Sequence, residues 1–463
     1  MKVAFVSNYI NHHQIPVCNE LYRLLDGAFT FVQTEPMEAE RVSMGWHETE
    51  RPSYVKCWYE EEADCRDIVM GCDAVIFGGT DEESYIRERL ASGKLVMRYS
   101  ERLYKTGQWK AISPRGLRKK YQDHTRYRKA PVYLLCAGAY VPSDFSLVRA
   151  YPGKMYCWGY FPETRRYDLE CLFAGKGYGG GDSHTREDAV NGKKPYLLWA
   201  ARMIDWKHPE LALETARYLR DKGLEFHLDL VGDGSLRPEL EEQCRRYGLE
   251  PYVDFLGFQP PEKVRGYMEQ ADIFLFTSDR QEGWGAVANE AMNSGCALVA
   301  DILIGAAPYL VQNGENGLLY PDGDREALYA AAEKLVRDRR LCRTLGEKAY
   351  ETITRTWNAE NAAARLVELL ERLLGERLSE ETMSQEGFQK KAFLAGIHPK
   401  DLPCRQKASG GGCQGQGMEE LLYNTEPCSI APVLWEGRAK GLCRRPDQRG
   451  ENIIRERGIG KHR

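Results

Sequence analysis

Residues 273–292 read IFLFTSDRQEGWGAVANEAM. An unbroken apolar run, IFLFT, meets a polar turn, and a helical pattern opened by Gly283 and Gly285 follows. A strand without polar alternation is buried on both faces, which is what a parallel sheet covered by helices on each side requires. The stretch therefore decides for an α/β architecture.

Similar runs lie on either side of it: YLLWAAR (196–202), FHLDLVG (226–232), VDFLG (253–257), ALVAD (297–301) and GLLY (317–320). Helical segments alternate with them. Leu211, Ala212, Ala216 and Leu219 share one face of the segment 208–222, and 358–374 reads as a terminal amphipathic helix. The same alternation fills the amino-terminal part of the chain, in KVAFVSN (2–8), AFTFVQT (28–34), AVIFGGT (74–80), KLVMRYS (94–100), VYLLCAG (132–138) and KMYCWGY (154–160). Two doubly wound, Rossmann-like domains follow, at 1–164 and 195–375. The glycine-rich, polar stretch 165–194 between them reads as a flexible linker. Beyond 376 the apolar period fades, and 376–463, with ASGGGCQGQG and an Arg-rich end, reads as a disordered extension.

A chain of 463 residues, 43% apolar, can bury two such cores. Its formal net charge of −4 favours no nucleic-acid partner. The start, MKVAFVSNYI, lacks the pattern of a secretory signal, and no run approaches the ~20 apolar residues that cross a bilayer. A cytoplasmic protein is expected, with any membrane contact peripheral. Many of the fourteen cysteines sit in apolar runs, as Cys136 and Cys296 do, so they read as buried thiols. No cysteine or histidine spacing suggests a structural metal.

The chemistry concentrates in two loops. Glu282 and Glu290 flank the glycine turn, and eight helical residues would part them by ~12 Å, whereas the carboxylates of a glycosidase lie ~5–9.5 Å apart. They cannot share one bond cleavage, so they fit different parts of a long ligand, with free amides and a helix amino terminus between them for an anion. Arg202 and Lys207, in ARMIDWKHPE after the strand YLLWA, could clamp a pyrophosphate and stabilise it as a leaving group without a divalent metal.

In AARMIDWKHPE, LVGDGSLRPEL (230–240), FLGFQP (255–260) and the Glu-x7-Glu element EGWGAVANEAM, the chain resembles the retaining GT-B glycosyltransferases of family 4 across residues 196–374. That resemblance implies two Rossmann-like domains facing across a cleft and a last helix crossing back. It implies transfer, with retention, of a hexose-type sugar from a UDP- or GDP-sugar to a saccharide or lipid-linked acceptor in surface polysaccharide or glycoconjugate synthesis. Arg202 and Lys207 would hold the donor phosphates, Glu282 the sugar hydroxyls and Glu290 the ribose. The backbone of Gly283, Trp284 and Gly285 would lie under the diphosphate and sugar, and Phe258 and Gln259 beside the base. No cofactor or metal is implied.

The amino-terminal domain departs from that family. NYINHHQIP (8–16) replaces its usual glycine-rich loop, and Ser100-Glu101-Arg102 stands where many relatives carry a histidine. His12, His13 and Glu101 follow strand ends, where ligands gather, and are candidates for the acceptor side. The basic segment 114–131, with Tyr121 and Tyr127 interleaved, suits an anionic membrane surface. Two other functions remain open to the sequence. One is a catalytically silent sugar-nucleotide-binding protein; the other is a nucleotide-dependent oxidoreductase, although neither GDGSLRPEL nor GGTDEES completes a dinucleotide fingerprint.

Overall fold

The computed structural model describes residues 1–38, 51–178 and 193–386. The amino-terminal lobe is built on a parallel seven-stranded sheet: β1 (Val3–Ser7), β2 (Phe29–Gln33), β3 (Val55–Cys57), β4 (Ala74–Phe77), β5 (Leu95–Ser100), β6 (Val132–Ala137) and β7 (Met155–Trp158). Its strand order is β3-β2-β1-β4-β5-β6-β7. The carboxyl-terminal lobe has six parallel strands: β8 (Tyr196–Ala200), β9 (His227–Val231), β10 (Val253–Gly257), β11 (Ile273–Phe276), β12 (Ala297–Asp301) and β13 (Gly317–Tyr320), ordered β10-β9-β8-β11-β12-β13. Both are doubly wound α/β sheets. β1, β4, β11 and β12 are buried along their whole length because helices cover both faces, which explains the unbroken apolar runs.

In each sheet the strand order reverses beside the first strand, between β1 and β4 and between β8 and β11. Loops leaving the carboxyl ends of such a pair diverge to opposite faces and open a crevice, where open α/β sheets bind ligands. The segments 8–14, 201–208 and 277–286 all leave from these ends.

The lobes meet directly. The amide of Ala139 donates to the carbonyl of Gly305 (2.9 Å), and the hydroxyl of Tyr140 donates to the carbonyl of Ile302 (2.6 Å). The terminal helix, Ala359–Glu386, packs on helix Ile15–Leu24 of the amino-terminal lobe, as a crossing helix should. It continues ten residues past 376, where the extension was placed, and residues 387–463 lie outside the described ones.

The interval 165–194 also differs from its reading as a flexible linker. Leu169–Gly175 is a helix whose start is capped by the Asp168 carboxylate, which accepts from the amide of Cys171, and Phe173 is buried beneath it. Arg165 is tied to Glu262 and Glu269, and its backbone exchanges two hydrogen bonds with Asn293. Those partners lie about a hundred residues away or more, so no local pattern reveals them. Residues 179–192, the glycine-rich part, lie outside the described residues.

Among the described residues Cys18, Cys57, Cys65, Cys72, Cys136, Cys244, Cys296 and Cys342 are buried free thiols, whereas Cys171 is exposed.

Candidate functional site

The carboxyl ends of β8 and β11 bring Arg202, Lys207 and Glu282 to one crevice. The two loops are locked together by hydrogen bonds that end on their backbones. Trp199 Nε1 donates to the hydroxyl of Thr277 (2.8 Å), that hydroxyl lies 2.8 Å and 2.9 Å from the carbonyls of Lys207 and His208, and the amide of Asp279 donates to Trp206 (3.0 Å). On this frame Lys207 forms an ion pair with Glu282, both side chains nearly buried, and its ammonium lies 4.2 Å from the ring centroid of Trp206. Arg202, by contrast, is exposed.

A third cation stands beside them that the sequence reading did not single out. His208 adopts a left-handed conformation (φ 50°) at the start of helix Pro209–Asp221, with its ring 2.7 Å from Glu210 and 3.6 Å from Asp279. The Asp279 and Glu210 carboxylates beside the ring raise its pKa from 6.5 to about 10 against the opposing effect of burial. Its signal was local: a His-Pro step directly after the candidate lysine. A raised pKa contributes stability that is complete below the unfolded value and is lost as pH rises through the folded one. His208→Gln should therefore flatten the part of the stability profile between pH 6.5 and 10, read by urea denaturation across pH; an unchanged slope would contradict the pairing.

The glycine turn differs from its reading as the first turn of a helix. The helix runs from Val287 to Asn293 only, and Gly285 at φ 91° sits in a conformation other residues rarely adopt. Trp284 is fully buried, its Nε1 donating to Asn289 (2.9 Å), so only its backbone can face a ligand. Glu282 therefore stands on a loop, and the helical-rise estimate of its separation from Glu290 does not apply. The glycines of LVGDGS have another use: side chains at Gly232 and Gly234 would overlap the carbonyls of Ala201 and Met203, so they let this turn pack on the Arg202 loop.

Glu290 lies on the next wall. It lines a cleft of about 640 Å³ between the lobes, with Arg165, Pro260, Pro261, Glu262 and Arg265 on its own side and Asn11, His12, Asn19 and Gln33 opposite. Burial raises its pKa, while Arg265 and Arg165 pull it down. Ligand atoms of His12, His13 and Glu290 lie within 4.8 Å of one another, as do those of His227, Asp229 and Asp254; both groups could hold a metal ion, and neither spacing is visible in the sequence. The loop 8–14 thus brings its histidines to Glu290. Phe258 is exposed, and Gln259 donates to the carbonyl of Leu256 (2.7 Å).

Glu101, at the end of β5, reaches the glycine turn from the other lobe. A side chain at Gly283 would overlap its carboxylate, so these two residues approach as closely as only glycine allows.

Residues 182–352 match the sequence profile of the family described as glycosyl transferases group 1. The chain is 31% identical over 182 residues to the amylovoran biosynthesis glycosyltransferase AmsK of Erwinia amylovora, a match covering 38% of this chain and 44% of that one. It is 28% identical over 181 residues, with the same two coverages, to the putative colanic acid biosynthesis glycosyltransferase WcaL of Salmonella typhimurium. The matched stretch thus spans less than half of either relative. Among solved structures, Anabaena Alr3699/HepE in complex with UDP superposes with a TM-score of 0.59 at 16% identity, over 80% of this chain and 100% of that one. Sucrose-phosphate synthase from Thermosynechococcus elongatus gives 0.58 at 17%, over 81% and 100%. These share the two-lobed GT-B fold.

Proposed function

We propose, for a chain that carries a group 1 glycosyl transferase domain over residues 182–352, that it moves a hexose-type sugar with retention from a UDP- or GDP-sugar to a saccharide or lipid-linked saccharide acceptor. The observation that carries this reading is the gathering of Arg202, Lys207 and Glu282 at the strand-order reversal of the second sheet, with Glu290 on the adjoining wall of the cleft. Such reversals are where open α/β sheets hold nucleotides. The relatives' roles in the biosynthesis of amylovoran and, putatively, of colanic acid support a surface polysaccharide as the class of product.

In this reading Arg202 and Lys207 hold the diphosphate, with the His208 cation close behind. Fixed positive charge aimed at a leaving group stabilises it as the bond breaks, and three cations can serve without a divalent metal. Glu282 exchanges its lysine partner for hydroxyls of the transferred sugar. Glu290 takes the ribose hydroxyls, with His12 and His13 closing over that end, and the exposed Phe258 stands with Gln259 towards the base. The backbone of residues 283–285 forms the floor.

A panel of UDP-glucose, UDP-N-acetylglucosamine and GDP-mannose tests the reading by thermal shift and by release of nucleoside diphosphate, with and without EDTA. Stabilisation and EDTA-resistant turnover with at least one donor are expected. A protein that binds none of them is not this transferase, and turnover abolished by EDTA would refute the metal-free mechanism.

The acceptor side is proposed to meet an anionic membrane surface from the cytoplasm. No helix of the described residues is long and apolar enough to cross a membrane. Helix Pro114–Asp123 carries Arg115, Arg118, Lys119 and Lys120, buries none of its residues, and exposes Leu117 and Tyr121 beside the exposed Ile112. Basic residues around exposed apolar ones suit anionic headgroups. Flotation with phosphatidylglycerol liposomes should retain the wild type and release a variant with those four cations changed to Gln; equal flotation of both would end this proposal.

A further inference from the structure

The Glu101 carboxylate accepts hydrogen bonds from the hydroxyl of Tyr160 and from the ammonium of Lys105, each at 2.6 Å. Tyr160 is itself fixed on several sides. Its ring lies parallel to His13 (centroids 6.3 Å, 13°) and tilted against Trp284 (6.2 Å), and its carbonyl accepts from Asn289 Nδ2 (3.2 Å). Its hydroxyl also interacts with that of the half-buried Tyr99, on the strand that ends just before Glu101. The carboxylate is thus held by its own lobe while it presses on a glycine of the other.

That arrangement separates two roles. A carboxylate that served to clamp the lobes would pair with a cation or an amide across the cleft. The hydrogen bonds Glu101 makes among the described residues instead come from Tyr160, Lys105 and its neighbour Ser100, all in the amino-terminal lobe. Across the cleft it meets Gly283, which offers no side chain, next to Glu282. An ionised carboxylate has about four lone-pair sites, and two donors leave it able to accept another hydrogen bond.

We propose that Glu101, fixed by Tyr160 and Lys105 beside Gly283, accepts the hydrogen bond of the incoming acceptor hydroxyl and orients its oxygen towards the sugar's anomeric carbon. The inference rests on the transferase reading above and adds to it the group that receives the acceptor. In the step it serves, the acceptor oxygen bonds to the anomeric carbon and the bond from that carbon to the diphosphate oxygen breaks. The electron pair leaves with the nucleoside diphosphate, and the hydroxyl proton passes along its hydrogen bond to the Glu101 carboxylate. Glu101 thus positions the hydroxyl and receives its proton. Its own lobe sets that position in advance, which is where an orienting group gains its effect.

The test measures nucleotide affinity by calorimetry and hydrolysis of whichever panel donor the wild type turns over, water being the acceptor. Glu101→Gln, nearly isosteric, should keep the nucleotide Kd within about twofold while kcat falls about 100-fold, the effect of losing a positioned group that takes the proton. Tyr160→Phe, which leaves the carboxylate in place but removes one of its anchors, should lower kcat severalfold with Kd unchanged. A kcat within threefold of wild type in Glu101→Gln overturns the proposal, and so does a Kd that weakens in step with kcat, the signature of a group that only sets how the lobes approach. A wild type that neither binds nor hydrolyses any donor of the panel would instead overturn the transferase reading.

Discussion

Lys207→Ala should lower donor turnover by about 10²- to 10³-fold, the cost of removing one preorganised charge from a group that carries negative charge as it leaves. The loss has two sources. Lys207 is anchored through its carbonyl to Thr277, so its ammonium is aimed by the loop rather than found by chance. Its removal also leaves Glu282, itself nearly buried, without its cation. An uncompensated buried carboxylate is costly. Lys207→Arg should restore part of the activity, because charge returns but the guanidinium fork does not reproduce a point charge. Steady-state kinetics with a panel donor checks this, and turnover within threefold of wild type in Lys207→Ala would contradict it.

Gly283→Ala should cost about 100-fold in kcat/KM, because a displacement of ~1 Å at a reacting centre is enough for such a loss. The added carbon would overlap the Glu101 carboxylate, so either that side chain must swing off its Tyr160 and Lys105 donors or the glycine turn must move. Gly283 does not take a positive φ, so alanine brings no backbone strain there and the fold should survive, with thermal unfolding shifted by a few degrees at most. Residues in contact are not independent, and combining Gly283→Ala with Glu101→Ala should cost less than the sum of the two single changes by about 1 kcal/mol or more. Strict additivity would show that the two residues do not touch.

The strands were legible because a sheet covered on both faces leaves unbroken apolar runs. β3 was missed: three residues long and only partly buried at its middle position, Val55–Cys57 gives no run to read. The helix Leu169–Gly175 was overlooked inside a polar interval, where Asp168 ahead of a short apolar stretch was the available sign. At the site, Arg202, Lys207, Glu282 and Glu290 stood out through spacing and resemblance. The turn at residues 283–286 was misread as helical, since glycine accommodates both a helix amino terminus and the positive φ found at Gly285. The meetings of Glu101 with Gly283 and of His12 and His13 with Glu290 were out of reach, because each joins residues from different lobes and depends on how two sheets face one another.

A structure with the nucleoside diphosphate of the active panel donor bound tests the central claim most directly. The diphosphate is expected beside Arg202 and Lys207, with the Lys207–Glu282 pair opened and the ribose hydroxyls on Glu290. A nucleotide seated elsewhere, with that ion pair intact and Glu290 untouched, would contradict it.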